Sequence, residues 1–200
     1  AAGWVTKARG GEGAVREAIG RPKGIIPKAA LASLTRLGAP GRSIRDLGGI
    51  EALKNLEVLD LADNAIRDLG PLADLGKLTH LSLENNQVVD LAPLAALGNL
   101  RVLLLAGNQV QDLGPLLGLP ALQNVELAGN RLDGEQGRLD RLRQRGVEVD
   151  MGGAVSGNSA PGENPVLAPT CEQPALIEKR NSLLANAEDV RKFLNPLETR

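Results

Sequence analysis

The sequence predicts an α/β solenoid, with short parallel strands on its concave face, 3₁₀ or single-turn helices on its convex face, and a helical cap at its N-terminal end. Three observations carry that expectation. Asn64, Asn86, Asn108 and Asn130 stand a constant 22 residues apart. Aliphatic residues recur in phase with them. The apolar alphabet is also narrow: 36 of 200 residues are leucine, against one Trp, one Phe and no Tyr. A fixed interval of this length marks a chain whose units cannot bury their apolar side alone and do so by stacking.

The frame reads L-x-x-L-x-L-x-x-N-x-(I/V/L). Leu56, Leu78, Leu100 and Leu122 hold its first position, and Leu59, Leu81, Leu103 and Val125 its fourth. Leu61, Leu83, Leu105 and Leu127 hold the sixth; Ile66, Val88, Val110 and Leu132 hold the eleventh. Alternation at Leu59-Asp60-Leu61 and its equivalents is the period-2 pattern of a short strand. The chain must then turn inside the stack, where a buried Asn side chain satisfies peptide groups that water cannot reach. The second half of each unit repeats as Asp68-Leu69-Gly70-Pro71-Leu72, Asp90-Leu91-Ala92-Pro93-Leu94 and Asp112-Leu113-Gly114-Pro115-Leu116. Proline tolerates a first helical turn but not a long helix interior, so these segments predict short helices opened by the acids.

These residues resemble the leucine-rich repeat family in its short 22-residue class, seen in bacterial internalins and in the leucine-rich regulatory subunit of protein phosphatase 1. The resemblance covers roughly positions 34 to 150. It implies the solenoid and a binding role; it does not specify what is bound, because function in such folds sits on exposed positions.

Four segments are expected: an N-terminal extension and helical cap at 1–33, the solenoid at 34–150, a flexible connector at 151–174 and a helical tail at 175–200. Leu34, Leu37, Ala39 and Ile44 form a degenerate first coil with Arg42 at the asparagine position. Before it, Ala14, Val15, Ala18 and Ile19 have helical spacing, and a second helical stretch is expected from Ala29 to Leu37. The arrangement is similar to the helical cap of internalin-type repeats. No dense acidic loop supports calcium binding there. At the other end, Leu139 to Arg143 favours helix, and Val147 and Val149 are expected on the fourth and sixth positions of a last coil. The connector is rich in Gly, Pro, Ser and Asn. The tail carries Leu176, Ile177, Leu183, Leu184, Ala187, Val190 and Phe193; it packs on the last coil, docks on another protein as a second contact, or stays disordered in isolation.

Composition excludes several function classes. A net charge of −1 and the lack of aromatic side chains argue against nucleic-acid binding. No apolar run is long enough for a membrane span. His80 and Cys171, each the sole residue of its type, do not assemble a metal site or a nucleophile–base pair. Gly10-Gly11-Glu12-Gly13 and the loop Gly38 to Ser43 lack the lysine and the preceding strand of a phosphate-binding loop. Asp68, Asp90 and Asp112 are read as helix openers rather than a calcium ladder. No cofactor, metal or catalytic residue is expected.

The residues flanking each buried Leu-x-Leu form the candidate binding face: Val58, Asp60, His80, Ser82, Glu84, Val102, Leu104, Asn124 and Glu126, with Ala62, Ala106 and Ala128 keeping one edge flat. Val102 and Leu104 make an apolar centre with a polar surround, a common build for a protein contact. The sequence therefore predicts a non-enzymatic protein-binding module. The start Ala1-Ala2-Gly3 suits a mature end left by a signal peptide, so an extracellular or periplasmic bacterial protein is expected. An intracellular scaffold or regulatory subunit in the cytoplasm is the alternative.

Overall fold

The computed structural model describes residues 28–152. The expected cap helix before Lys28 and the connector and tail at 153–200 lie outside the described residues. A short helix α1 (Lys28–Ala32) leads into a six-stranded sheet in sequential order: β1 (Arg36–Gly38), β2 (Val58–Asp60), β3 (His80–Ser82), β4 (Val102–Leu104), β5 (Asn124–Glu126) and β6 (Glu148–Asp150). Every neighbouring pair is parallel. On the opposite side run 3₁₀ helices Ile50–Ala52, Gly70–Leu72, Ala92–Ala96 and Gly114–Gly118, then the α-helix α2 (Gln136–Gln144).

The frame leucines form one continuous core between the two sides. Leu56, Leu72, Leu75, Leu78, Leu83, Leu94, Leu97, Leu100, Leu105 and Leu116 have no accessible surface. Each such side chain contributes about 1.5–3 kcal/mol of transfer free energy, available only when a coil has neighbours. The second stretch of predicted helix is shorter than expected, because α1 ends at Ala32 and Arg36–Gly38 pairs with β2. Leu37 lies opposite Leu59 at the fourth position and is 4% exposed, so burial on the stack overrides local helix propensity there.

The asparagines act between coils. Asn86 Nδ2 donates to the carbonyls of Leu61 in the preceding coil (2.9 Å) and of Leu83 (3.0 Å) and Glu84 (3.1 Å) in its own. Its Oδ1 accepts the Ile66 N–H of the preceding coil at 3.0 Å. Asn108 repeats the pattern on Leu83, Leu105 and Val88, as does Asn130 on Leu105, Leu127 and Val110. Asn64 reaches back to Ala39 and accepts from Arg42 and Ile44. Asn86 and Asn108 are buried, whereas Asn64 and Asn130 are half-buried near the ends of the row. The geometry also explains Arg42: each asparagine bonds backwards, and among the described residues no earlier coil lies behind the first.

The residue before each ladder position adopts the left-handed conformation, at Gly41, Asp63, Asn85, Gly107 and Gly129 (φ 53 to 68°). Gly and Asn or Asp tolerate that region best. Asn85 Nδ2 donates to Asp63 Oδ1 at 2.8 Å, and a Cβ on Gly107 would sit 2.4 Å from Asn85 Oδ1. The helix-opening acids work one step before the helix proper: Asp68, Asp90 and Asp112 accept the N–H two residues on, at Gly70, Ala92 and Gly114 (2.7–2.8 Å).

The last coil departs from the frame. Val149, not Val147, lies opposite Val125 at the fourth position, and the sixth falls to Met151. Asn124 pairs with Glu148, an interval of 24 rather than 22. An α-helix rises only about 1.5 Å per residue against about 2.0 Å for a 3₁₀ helix, so crossing the stack with α2 takes more chain. Val147 is buried instead as the strand enters, after α2 ends on left-handed Gly146. Glu135 takes the place that Leu113 and its equivalents hold in other coils. Though buried, it accepts the Leu113 N–H at 2.9 Å and pairs with Arg138, which also reaches Asp112 at 3.2 Å. Arg145 fastens α2 to the coil below through the carbonyls of Leu117 and Leu119.

Replacing Asn108 by Leu should lower unfolding free energy by about 1–3 kcal/mol, since the Val88 N–H and the Leu83 and Leu105 carbonyls lose their partner. Urea denaturation checks this; a wild-type midpoint would refute the buried-turn role. Gly107→Ala should cost about 1–2 kcal/mol, from the left-handed backbone and the Asn85 contact. Gly98→Ala, where nothing lies within 4 Å of an added Cβ, is the comparison in the same melting experiment.

Candidate protein-binding face

Strand residues that do not enter the core stand in rows across the sheet. One row, a residue before each fourth position, contains Arg36, Val58, His80, Val102, Asn124 and Glu148 in register. The next contains Gly38, Asp60, Ser82, Leu104, Glu126 and Asp150. A third, two residues further along, contains Ala62, Glu84, Ala106 and Ala128. Rows form because parallel strands about 4.8 Å apart project equivalent side chains the same way.

The candidate residues therefore share one surface, at different depths. His80 is exposed; Val58, Asp60, Ser82, Glu84, Leu104, Asn124 and Glu126 are partly exposed. Val102 is 8% exposed, so the apolar centre offered to solvent is Leu104, two residues along the same strand face. Asp60 Oδ1 accepts the Ala62 N–H at 3.1 Å, which fixes its carboxylate near the strand end. Asn124 Nδ2 donates to Glu148 Oε2 at 2.6 Å and ties β5 to β6 across the face.

Four further residues belong to the surface and were not among the sequence candidates. Arg36 and Arg101 lie where the strands enter, and Glu148 and Asp150 occupy β6. Arg36 was legible in principle, because the frame places Leu37 at a fourth position. Glu148 and Asp150 were hidden by the two-residue lengthening of the last coil.

His80 has a defined setting. The Thr79 hydroxyl donates to the Glu57 carbonyl at 2.9 Å and lies 2.9 Å from His80 Nδ1. With its hydrogen committed to Glu57, the hydroxyl accepts from Nδ1, so the neutral ring carries hydrogen there and presents Nε2 as an acceptor. Desolvation against the strand face, then the charges of Arg101 and Arg36, hold the imidazole pKa below its ordinary 6.5. Among the described residues no group of His, Cys, Asp and Glu side chains could hold a metal ion. No helix among them is long and apolar enough to cross a membrane.

The lowered His80 pKa has a defined sign in stability. Well above pH 6.5 the ring is neutral in both states and contributes no pH dependence. As pH falls from 6.5 through the folded-state value, the unfolded chain binds the proton more tightly and stability declines. Urea midpoints compared between wild type and His80→Gln at pH 7.5, 6.5 and 5.5 should show this decline only in the wild type. Parallel curves would contradict the lowered pKa.

Comparison with known proteins follows the same repeats. A family model described as leucine-rich repeats, in two copies, matches residues 54–96 and 98–135. No curated protein matches the chain. Among solved structures, an internalin of Listeria monocytogenes aligns at 29% identity and TM-score 0.59 over 68% of this chain and 40% of its own. Internalin C2 of the same organism aligns at 30% identity and TM-score 0.52 over 69% of this chain and 72% of its own. A leucine-rich repeat protein of Leptospira interrogans aligns at 29% identity and TM-score 0.56 over 64% of this chain and 34% of its own. The chain thus spans well under half the length of the first and third of these. The likeness to internalin C2 runs through most of that protein, and the repeat model falls on the coils joined by the asparagine ladder: the chain belongs to the leucine-rich repeat family.

Proposed function

We propose that the chain is a non-enzymatic protein-binding module that takes its partner on the strand face. The observation that carries this reading is the division of labour along each strand. Leucines at the fourth and sixth positions are consumed by the core, while Val58, Asp60, His80, Ser82, Glu84, Leu104, Asn124 and Glu126 are held in fixed rows without serving it. A preordered surface loses little conformational freedom on association. Leu104 supplies a central apolar contact ringed by polar groups, with the more buried Val102 beside it on the same strand. Val58, Asp60, His80, Ser82, Glu84, Asn124 and Glu126 form the surround.

The likeness to Listeria internalins and to a Leptospira repeat protein supports a bacterial protein exported to the surface or periplasm. An intracellular scaffold is the other outcome of the localisation test, which is fractionation of native cells with antibody against the chain. The tail at 175–200 is proposed as a second contact.

Leu104→Arg should leave stability within about 0.5 kcal/mol of wild type, as expected for a surface position, yet abolish partner capture. Affinity purification from the native source with both proteins, followed by binding measurements on the recovered partner, checks this. Undiminished binding by the folded variant would move the contact off the strand face.

A further inference from the structure

Among the described residues, the strand-exit side of the face carries acids and no base, whereas the strand-entry side carries both signs, with Glu57 and Glu148 in the positions that also hold Arg36, His80 and Arg101. Asp60, Asp63, Glu84, Glu126 and Asp150 all lie where the strands leave the sheet, and no Lys or Arg stands in those rows among the described strands. Where the strands enter, Arg36, His80 and Arg101 lie together. Arg36 is two strands from His80 in the same row, and Arg101 immediately precedes Val102, the residue paired with His80. At about 4.8 Å per strand, the backbone positions of Arg101 and Arg36 lie about one and two strand spacings from His80, a span that a long guanidinium side chain covers, and the charges of both act on the His80 ring.

The surroundings of His80 are mixed but orderly. In its own coil are Thr79, which precedes the strand and is hydrogen-bonded to the ring, and Glu84, two residues after the strand ends. The β2 side contributes Glu57 before the strand and Asp60 within it; the β1 side contributes Arg36 and the β4 side Arg101. Among the described residues, no ion pair joins Arg36 or Arg101 to a carboxylate. The influence that His80 feels from its charged neighbours is that of the two guanidiniums.

We infer that Arg36, His80 and Arg101 form an anion subsite on the strand face that receives a carboxylate side chain of the protein partner. Two guanidiniums supply paired donors suited to a carboxylate. Protonated His80 adds a third charge at Nε2, the nitrogen left outward by the Thr79 bond. The acids across the face repel the same carboxylate from the strand-exit side, so the partner segment is oriented with its acid over β2 to β4 and its apolar residue on Leu104. Binding and protonation are linked: an anion seated between the arginines draws a proton onto His80, and acidification tightens the seat.

The sole histidine of the chain gives one imidazole Hε1 resonance in proton NMR. It is titrated in the full chain at constant ionic strength, alone, with acetyl-pentaglutamate amide, and with inorganic phosphate. The subsite requires that the peptide shift the resonance saturably and raise the His80 pKa by about half a unit or more. Arg36→Gln and Arg101→Gln, checked for wild-type circular dichroism, should each weaken the peptide by about threefold or more. A resonance moved no further by peptide than by sodium chloride overturns the inference, as does a response unaffected by both variants. A shift with phosphate but none with peptide also overturns it, in favour of a free inorganic anion. The inference rests on the binding role of the strand face, but the titration needs no native partner. A null titration alongside loss of capture by Leu104→Arg removes the subsite and leaves that role standing.

Discussion

The structure depends on the side-chain amide of asparagine bridging two coils. A solenoid unit closes a turn of backbone inside its own core, where an unpaired N–H or carbonyl costs about 1–3 kcal/mol. Hydrophobic stacking brings the coils together but has no means of pairing those groups. Asn86 and Asn108 do so by donating to the carbonyls of Leu61 and Leu83 in the coils before them and accepting the N–H groups of Ile66 and Val88. Because every bond that leaves the coil runs backwards, each coil is locked to its predecessor in one register.

The rows on the strand face follow from that lock. A slip by one residue would turn every leucine out of the core, so Arg36, Val58, His80 and Val102 cannot leave alignment while the stack holds. The protein thus obtains a surface whose side chains are set two-dimensionally by repeat number and strand position. The core leaves the outward positions free to vary, and the acids of the strand-exit side and the mixed charges of the entry side are written there.

Legibility was uneven along the chain for physical reasons. From β2 to β5 each strand-to-strand interval is 22 residues, so counting from one asparagine places the core residues of those coils. The left-handed row at Gly41, Asp63, Asn85, Gly107 and Gly129 was no part of the repeat frame, because Gly, Asp and Asn share no hydrophobic pattern and only the backbone angles unite them. The count failed at the last coil, because α2 replaces the 3₁₀ helix and shifts Val149 to the position assigned to Val147. It failed in another way at Val102, whose outward row position is right but whose burial depends on its neighbours.

Composition and spacing alone determined the stacking, the direction of the strands, the ladder asparagines and the face they frame, because each of these follows from a period in the chain. Depth, register beyond the last regular coil, and the nearness of His80 to Arg36 and to Arg101 were decided only by the folded molecule. Those properties depend on distances between residues 21 to 44 positions apart in the sequence, and such distances are set by how neighbouring coils pack rather than by any local preference.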